Sequence, residues 1–291
     1  MRTPNTYKRS RVILILLSAY IVLQFLWWGF MLVQDSPKKT IMVFGEGTVF
    51  LIILFYGIYR YQLSIQRELT LHQRQSNFLL SVTHELKTPI AAVQLILQTI
   101  RKHNLSQTEQ QSFLEQALKE NKKSENLIQN MLYASGLENK HLQTHLSTLF
   151  PEELVTHIRT KINEGSNIDA VQFSVLSNQP FQADLNLLER VIIQLIENSL
   201  KYDSTQVDIH IHQQNNQTEI DIIDNGSGIS ESDRPFIFDK FFRSGDENKR
   251  EKTGTGLGLF IAKEFIELQK GTLTFKPNLP KGTVFTIKLP Q

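Results

Sequence analysis

A chain of 291 residues has room for a sizeable core, divided over one large domain or two modest ones. Its charge is nearly balanced, 31 Lys and Arg against 29 Asp and Glu, so no bulk attraction to nucleic acid or to a polyacidic partner is implied and electrostatic function must be local. The complete lack of cysteine excludes disulfide frameworks, thiolate nucleophiles and Cys-ligated metal centres.

The first sixty residues differ from the rest. Val12 to Val33 carries no charge and, as a helix, covers about 33 Å, enough for a bilayer core. Its length, and the lack of a small-residue cleavage site after it, weigh against a cleaved signal peptide. A second apolar run, Ile41 to Tyr59, contains Glu46. The expectation is a membrane anchor over residues 1–60, with transmembrane helices at about 12–33 and 41–59 and a short external loop, 34–40. Arg2, Lys8, Arg9 and Arg11 precede the pair and Arg60, Arg67 and Arg74 follow it, against Lys38 and Lys39 in the turn, which predicts cytoplasmic termini. Gln24 and Glu46 are the polar candidates for an input site in the membrane; a helix–helix hydrogen bond and a place near the interface are their plainer readings.

From residue 60 to about 103 apolar residues recur in steps of four and three. Ile65, Leu69, His72, Ser76, Leu79, Thr83, Leu86, Ile90, Val93, Leu97 and Ile100 form that seam, which predicts one long helix with a partner along it. Its polar members, His72, Ser76 and Thr83, either set register or keep the pairing marginal. Ser106, with Glu109 three residues on, has capping-box spacing and starts a second helix that ends near Gly136. A two-helix hairpin over 61–140 leaves too much apolar surface for one copy, so a dimeric four-helix bundle is expected.

After Pro151 helix and strand patterns mix. PEELVTHIRTKI, DLNLLERVIIQLIENSLKY and GLGLFIAKEFIELQ read as helices; VQFSVLS, VDIHIH, TEIDIID, GTLTFKP and GTVFTIKL read as strands. The expected domain, 146–291, is an α+β sandwich with helices on one face of a mainly antiparallel sheet, and residues 136–149 are the expected hinge. His210 and His212 share a strand face without a third ligand, which reads as an exposed sheet face.

Three stretches carry chemistry. In SVTHELKTPI, His84 and Thr88 share a helix face, Glu85 projects about 100° away, and Pro89 would bend the helix. A carboxylate there accepts a proton from one ring nitrogen and leaves the other more nucleophilic, although a surface histidine beside an acid is equally common. DIIDNGSGI puts Asp224 at a strand end before Gly226 and Gly228, and GTGLGL puts Gly254, Gly256 and Gly258 before an apolar helix. Such glycines bring backbone N–H groups to phosphates, or they are ordinary turn glycines. IENSLKY aligns Asn198, Lys201 and Tyr202 on one helix face: an amide oxygen for a metal, a cation for a phosphate and an aromatic ring.

SVTHELKTPI, IENSLKYD, DNGSGI, FDKFFR and GTGLGL occur in the order and spacing of the H, N, G1, F and G2 boxes of the sensor histidine kinases of two-component signalling, which the chain resembles over roughly residues 70 to 291. The resemblance implies a dimerising phosphoacceptor hairpin and an ATPase domain of the GHKL/Bergerat type. It implies His84 as phosphoacceptor, Glu85 as its acid/base partner, and Thr88 as the residue that positions water when the kinase dephosphorylates its regulator. It implies Asn198 as the Mg²⁺ ligand, Lys201 as a phosphate contact, Tyr202 as a nucleotide contact, and Asp224 as the acceptor for the adenine amino group, shaped by Gly226 and Gly228. Lys240 and Arg243 would reach the phosphates. Gly254, Thr255, Gly256, Leu257 and Gly258 would support the phosphates and a lid at 244–253. ATP and Mg²⁺ are the implied cofactors. The implied partners are a response-regulator receiver domain and a second copy of the chain, beside the bilayer of the cytoplasmic membrane; since the short external turn has no room for a sensing domain, sensing is expected in the membrane, through a membrane or accessory sensor protein, or not at all; no direct contact with nucleic acid is implied. One departure stands out: the N box has Gln194 one turn before Asn198 where many relatives have asparagine, with Glu197 next to Asn198. The alternatives from other classes are an ATP-binding scaffold or phosphatase-dominant regulator, and a gyrase-like ATPase with a further transducer domain.

Overall fold

The structure is a computed structural model and describes residues 18–27, 29–30, 37–138, 142–163, 170–214, 216–244 and 254–290. It divides into two compact units, Met1–Gln73 and Arg74–Gln291.

The first unit contains α1 (Ser18–Trp27) and the start of α2 (Pro37–Lys102). Proline is tolerated in the first turn of a helix, where its missing donor would have no partner, so α2 starts four residues earlier than the Ile41 expected for the second membrane segment. It also runs without a break into the predicted hairpin helix, 66 residues in all, with Pro89 inside it. Phe25 packs its ring onto Gly47, where a Cβ would lie 1.6 Å from the ring carbon Cζ. Leu23, Leu26 and Trp27 of α1, and Ile52, Ile53 and Tyr56 of α2, are exposed. Among the described residues one helix, Gly47–Lys102, is long and apolar enough to cross a membrane. The expected first span, 12–33, lies partly outside the described residues, as does the Glu46 side chain; Gln24 is exposed.

The second unit joins the hairpin to an α/β domain. α3 (Gln107–Glu138) follows a short turn in which Glu109 accepts from the Ser106 backbone N–H at 2.9 Å and the Ser106 hydroxyl accepts from the Glu109 N–H at 3.4 Å, the reciprocal cap that the spacing predicted. Then come β1 (Ser147–Leu149), α4 (Pro151–Asn163), β2 (Val171–Val175), β3 (Phe181–Ala183), α5 (Leu185–Lys201), β4 (Val207–Gln214), β5 (Gln217–Asp224), α6 (Gly258–Leu268), β6 (Thr272–Pro277) and β7 (Thr283–Pro290). The main sheet has the order β2-β4-β5-β7-β6, with β2 and β4 parallel and the other pairs antiparallel.

Period-two alternation explains the two faces of this sheet. Ile209, Ile211, Ile220, Ile222 and Ile287 are buried on the helix side, where Leu188, Ile192, Leu195 and Phe265 of α5 and α6 complete the core. The other face carries His212 opposite Glu219 and Glu219 opposite Lys288, whose ammonium reaches the carboxylate at 2.7 Å. β1 and β3 form a separate antiparallel pair. Residues 147–149, the end of the expected hinge, are therefore strand, and residues 139–141 of it lie outside the described residues.

Candidate nucleotide site

Asp184 caps α5, accepting from the Asn186 and Leu187 backbone N–H groups at 3.1 and 3.2 Å. The apolar face of α5, from Leu187 to Ile196, enters the core, so Gln194, Glu197, Asn198 and Lys201 share the opposite face and line a cleft of about 750 Å³. The domain's side of that cleft also includes Tyr202, Asp224, Gly228, Arg243, Gly254, Thr255, Gly256 and Gly258.

The cleft's base is built around Asp224, which is 5% exposed at the end of β5. One carboxylate oxygen accepts from the backbone N–H groups of Gly226 and Thr283 at 2.9 and 3.0 Å; the other accepts from the Ser199 hydroxyl at 3.2 Å. A buried carboxylate so anchored presents a fixed acceptor to any ligand amino group. Gly226 lies beneath the cleft rather than on its wall: a Cβ there would come within 2.6 Å of the Tyr202 carbonyl oxygen. Ser199 lies in IENSLKYD without a predicted role, and Thr283, outside every motif, comes to Asp224 because β7 closes the sheet beside β5.

At the other end the glycine loop meets a lysine. A Cβ at Gly254 would lie 2.5 Å from the Lys201 ammonium, so that cation stands over the loop. Gly256 has φ +70° and its carbonyl accepts from the Phe241 N–H at 3.0 Å; a Cβ there would come within 2.6 Å of the Phe242 carbonyl oxygen, which only glycine tolerates. Leu257 is fully buried in the core and accepts the first helical hydrogen bond of α6, from Ile261, at 2.9 Å. Residues 245–253, most of the expected lid, lie outside the described residues.

The segment FDKFFR is mostly turned toward the hairpin. Arg74 pairs with Asp239 at 2.9 Å and lies over the rings of Phe236 and Phe242, and Phe78 stacks on Phe241 with centroids 4.3 Å apart. Arg243 lines the cleft while donating to the Ser81 hydroxyl. Lys240 is not in the cleft wall: its ammonium lies 5.0 and 5.7 Å from the rings of Phe241 and Phe260 and donates to the Ala134 carbonyl at 3.5 Å. From α3, Tyr133 meets Phe265 edge-on with centroids 5.1 Å apart, beneath the Arg190 guanidinium.

Glu85 lines the same cleft, with a buried carboxylate oxygen that has no hydrogen-bond partner. His84 and Thr88 are exposed and outside the cleft wall, and the Thr88 hydroxyl donates to the His84 carbonyl at 3.2 Å. Lys123, Asn126, Leu127 and Asn130 of α3 also line the cleft, which no local pattern in the sequence indicated. Burial pushes the Glu197 carboxyl above its ordinary range, and Arg190 pulls it partly back.

The donor set fits a nucleotide and Mg²⁺. Among the described residues no group of three or more His, Cys, Asp or Glu could hold a metal ion, whereas a lone amide, Asn198, beside a phosphate-binding loop suits an ion that keeps water ligands and completes its shell with phosphate oxygens.

Comparison with known proteins agrees with this geometry. Residues 74–140 match the His Kinase A (phospho-acceptor) domain, and residues 183–291 match the histidine kinase-, DNA gyrase B-, and HSP90-like ATPase domain. The chain is 28% identical over 262 residues to sensor protein CiaH of Streptococcus pneumoniae serotype 4, covering 88% of this chain and 59% of that one. It is 30% identical over 233 residues to sensor protein SrrB of Staphylococcus aureus strain N315, covering 77% and 39%. The chain thus spans about three fifths of the first relative's length and less of the second's. The solved structure of Acinetobacter baumannii histidine kinase AdeS superposes with a TM-score of 0.51 at 25% identity, covering 71% of this chain and 97% of that one.

Proposed function

We infer the function from the family to which this chain belongs, the sensor histidine kinases of two-component signalling: it is a protein-histidine kinase that phosphorylates itself on His84 from Mg-ATP and passes the phosphoryl group to an aspartate of a response-regulator receiver domain. The observation that carries this reading is the cleft, in which Asn198, Lys201, Tyr202, Asp224 and the Gly254–Gly258 loop converge beside Glu85, the neighbour of His84.

The roles assigned to the residues are those that the family resemblance implies. Asp224 accepts the adenine amino group, Tyr202 flanks the nucleotide, and Lys201 with the loop N–H groups holds the phosphates. Asn198 supplies an oxygen to Mg²⁺, which when bound neutralises charge on the phosphate oxygens. Arg243 exchanges Ser81 for a phosphate contact, and Lys240 joins it after leaving the ring of Phe241. The chain's main task is positioning, because phosphoryl transfer needs an in-line nucleophile and fixed cations rather than covalent work by other side chains. A ring nitrogen of His84 attacks the γ-phosphorus, the bond to the bridging oxygen breaks, and Glu85 takes the proton from the other ring nitrogen. His84 is outside the cleft wall, so this step requires the ATPase domain to shift on the hairpin.

The domain assignment is an anchor at 1–60 with two membrane helices, a dimerising hairpin at 61–140 and a catalytic domain at 146–291, the last two cytoplasmic. Exposed Leu79, Leu95, Leu97, Leu118 and Leu132 on the hairpin support pairing with a second copy. Thr88, one turn from His84, supports a regulator phosphatase activity, and an accessory protein in or near the membrane supplies the signal.

The test uses the full chain in lipid nanodiscs with γ-labelled ATP and Mg²⁺, followed by a receiver domain. Label should enter the chain, move to the receiver and disappear from both reactions in Asn198→Ala; equal labelling of that variant would refute the site. Thr88→Ala should slow loss of label from the receiver severalfold while leaving self-labelling intact.

A further inference from the structure

The cleft has two sides, and the family motifs account for one. The other is α3, whose Lys123, Asn126, Leu127 and Asn130 lie at steps of three, one and three, a single helix face turned to the cleft. Asn130 also lines a small crevice with Arg190, Gln194 and Gly258, which places its amide at the loop end of the cleft, beside the start of α6. Lys123 lies two helical turns earlier, about 10 Å along the axis, on the same wall. Its ammonium, on a side chain 58% exposed, pairs with Glu120 one turn earlier, whose side chain is 23% exposed, and a polyphosphate in the cleft can compete with that carboxylate for it. Lys123 thereby adds a third cation to Lys201 and Arg243 on the lining of the cleft.

This wall is held in place independently of any ligand. Tyr133 is clasped between Phe265 and Arg190, Lys240 donates to the Ala134 carbonyl, and Ala134 and Leu137 are buried against the domain core. The face of α3 that continues from Tyr133 therefore covers the cleft, which Glu85, with its buried, partnerless carboxylate oxygen, also lines.

We propose that α3 is the second wall of the nucleotide site, with Lys123 contacting the phosphates and Asn130 a polar atom near them, so that a bound nucleotide ties the hairpin to the ATPase domain. The inference rests on the reading of this cleft as the nucleotide site, and it makes nucleotide affinity a property of the docked pair rather than of the ATPase domain alone.

The experiment is equilibrium binding of a fluorescent ADP to the full chain in nanodiscs, read by anisotropy, with unlabelled ADP and adenosine as competitors. Lys123→Ala should weaken ADP about fivefold, in keeping with one charge-assisted contact that is partly solvated, and leave adenosine unchanged. Asn130→Ala should weaken ADP about threefold, as one neutral hydrogen bond does. Lys122→Ala, a neighbour paired with Glu125 on the exposed side, should match the parent. Asp224→Asn separates the two levels of the argument. If it loses binding while Lys123→Ala and Asn130→Ala keep the parent's affinity, the second wall is refuted and the site stands. If Asp224→Asn binds as the parent does, the reading of the cleft itself fails.

Discussion

Single residues in this chain do work that their types made readable. Ser106 and Glu109 are such a pair: the two hydrogen bonds that Ser106 gives to the Glu109 carboxylate, from its side chain and its backbone, hold that carboxyl below its ordinary value. A group with a lowered folded pKa stabilises above its unfolded value and loses that contribution as pH falls through the folded one. Glu109→Gln should therefore lower the thermal midpoint of helix loss at pH 7, and the difference from the parent should vanish at a pH below the lowered pKa; a constant difference would contradict the cap's role. Gly256 is the second case. Its positive φ and the 2.6 Å approach to the Phe242 carbonyl leave no room for a methyl group, so Gly256→Ala should displace the loop and weaken ADP binding at least tenfold while the core still folds.

At the scale of elements, the docking of FDKFFR on α2 is the feature with the clearest consequence. Arg74 is held by Asp239, whose side chain is 46% exposed, and by two rings whose cation–π attraction adds to that partly solvated pair. It holds the domain in an arrangement with His84 outside the cleft. Arg74→Glu should raise self-phosphorylation about threefold, and adding Asp239→Arg should bring it back toward the parent; a swap that restores nothing would remove this contact from the account. The elements themselves were largely legible. Asp184 as a helix start, the isoleucine alternation of β4 and β5 and the closing hairpin depend on neighbours two to four positions away, and each stands within a few residues of its expected place. What pattern did not reveal is non-local. β3 has three residues and takes its partner from β1, 32 to 36 positions earlier in the paired register, and β2 joins β4 in parallel through a crossover. Thr283, Lys123 and Asn130 reach the cleft through packing, not through any motif. Leu257, Gly226 and Lys240, read as part of the binding loop and its surroundings, sit in the core, beneath the cleft and against the hairpin because their immediate neighbours pack there.

At the scale of the whole molecule, the proposed pairing rests on apolar surface that the hairpin leaves exposed. Leu80, Leu95 and Leu118 are between 65% and 69% exposed on the hairpin, a cost of roughly 1.5 to 3 kcal/mol for each such side chain left in water. Leu118→Glu should therefore shift the nanodisc or detergent-solubilised chain from dimer to monomer in sedimentation. The two compact units divide at Arg74, the residue at which the match to the His Kinase A domain also begins. His84 is proposed to take phosphate from ATP bound in the Asp224 cleft. The most direct measurement is acid-labile, alkali-stable label from γ-labelled ATP on the full chain, with the modified peptide identified by mass spectrometry, beside His84→Gln. Label should appear on the peptide containing His84 and be absent from the variant. Label that persists in His84→Gln, or that maps to another residue, would contradict that assignment.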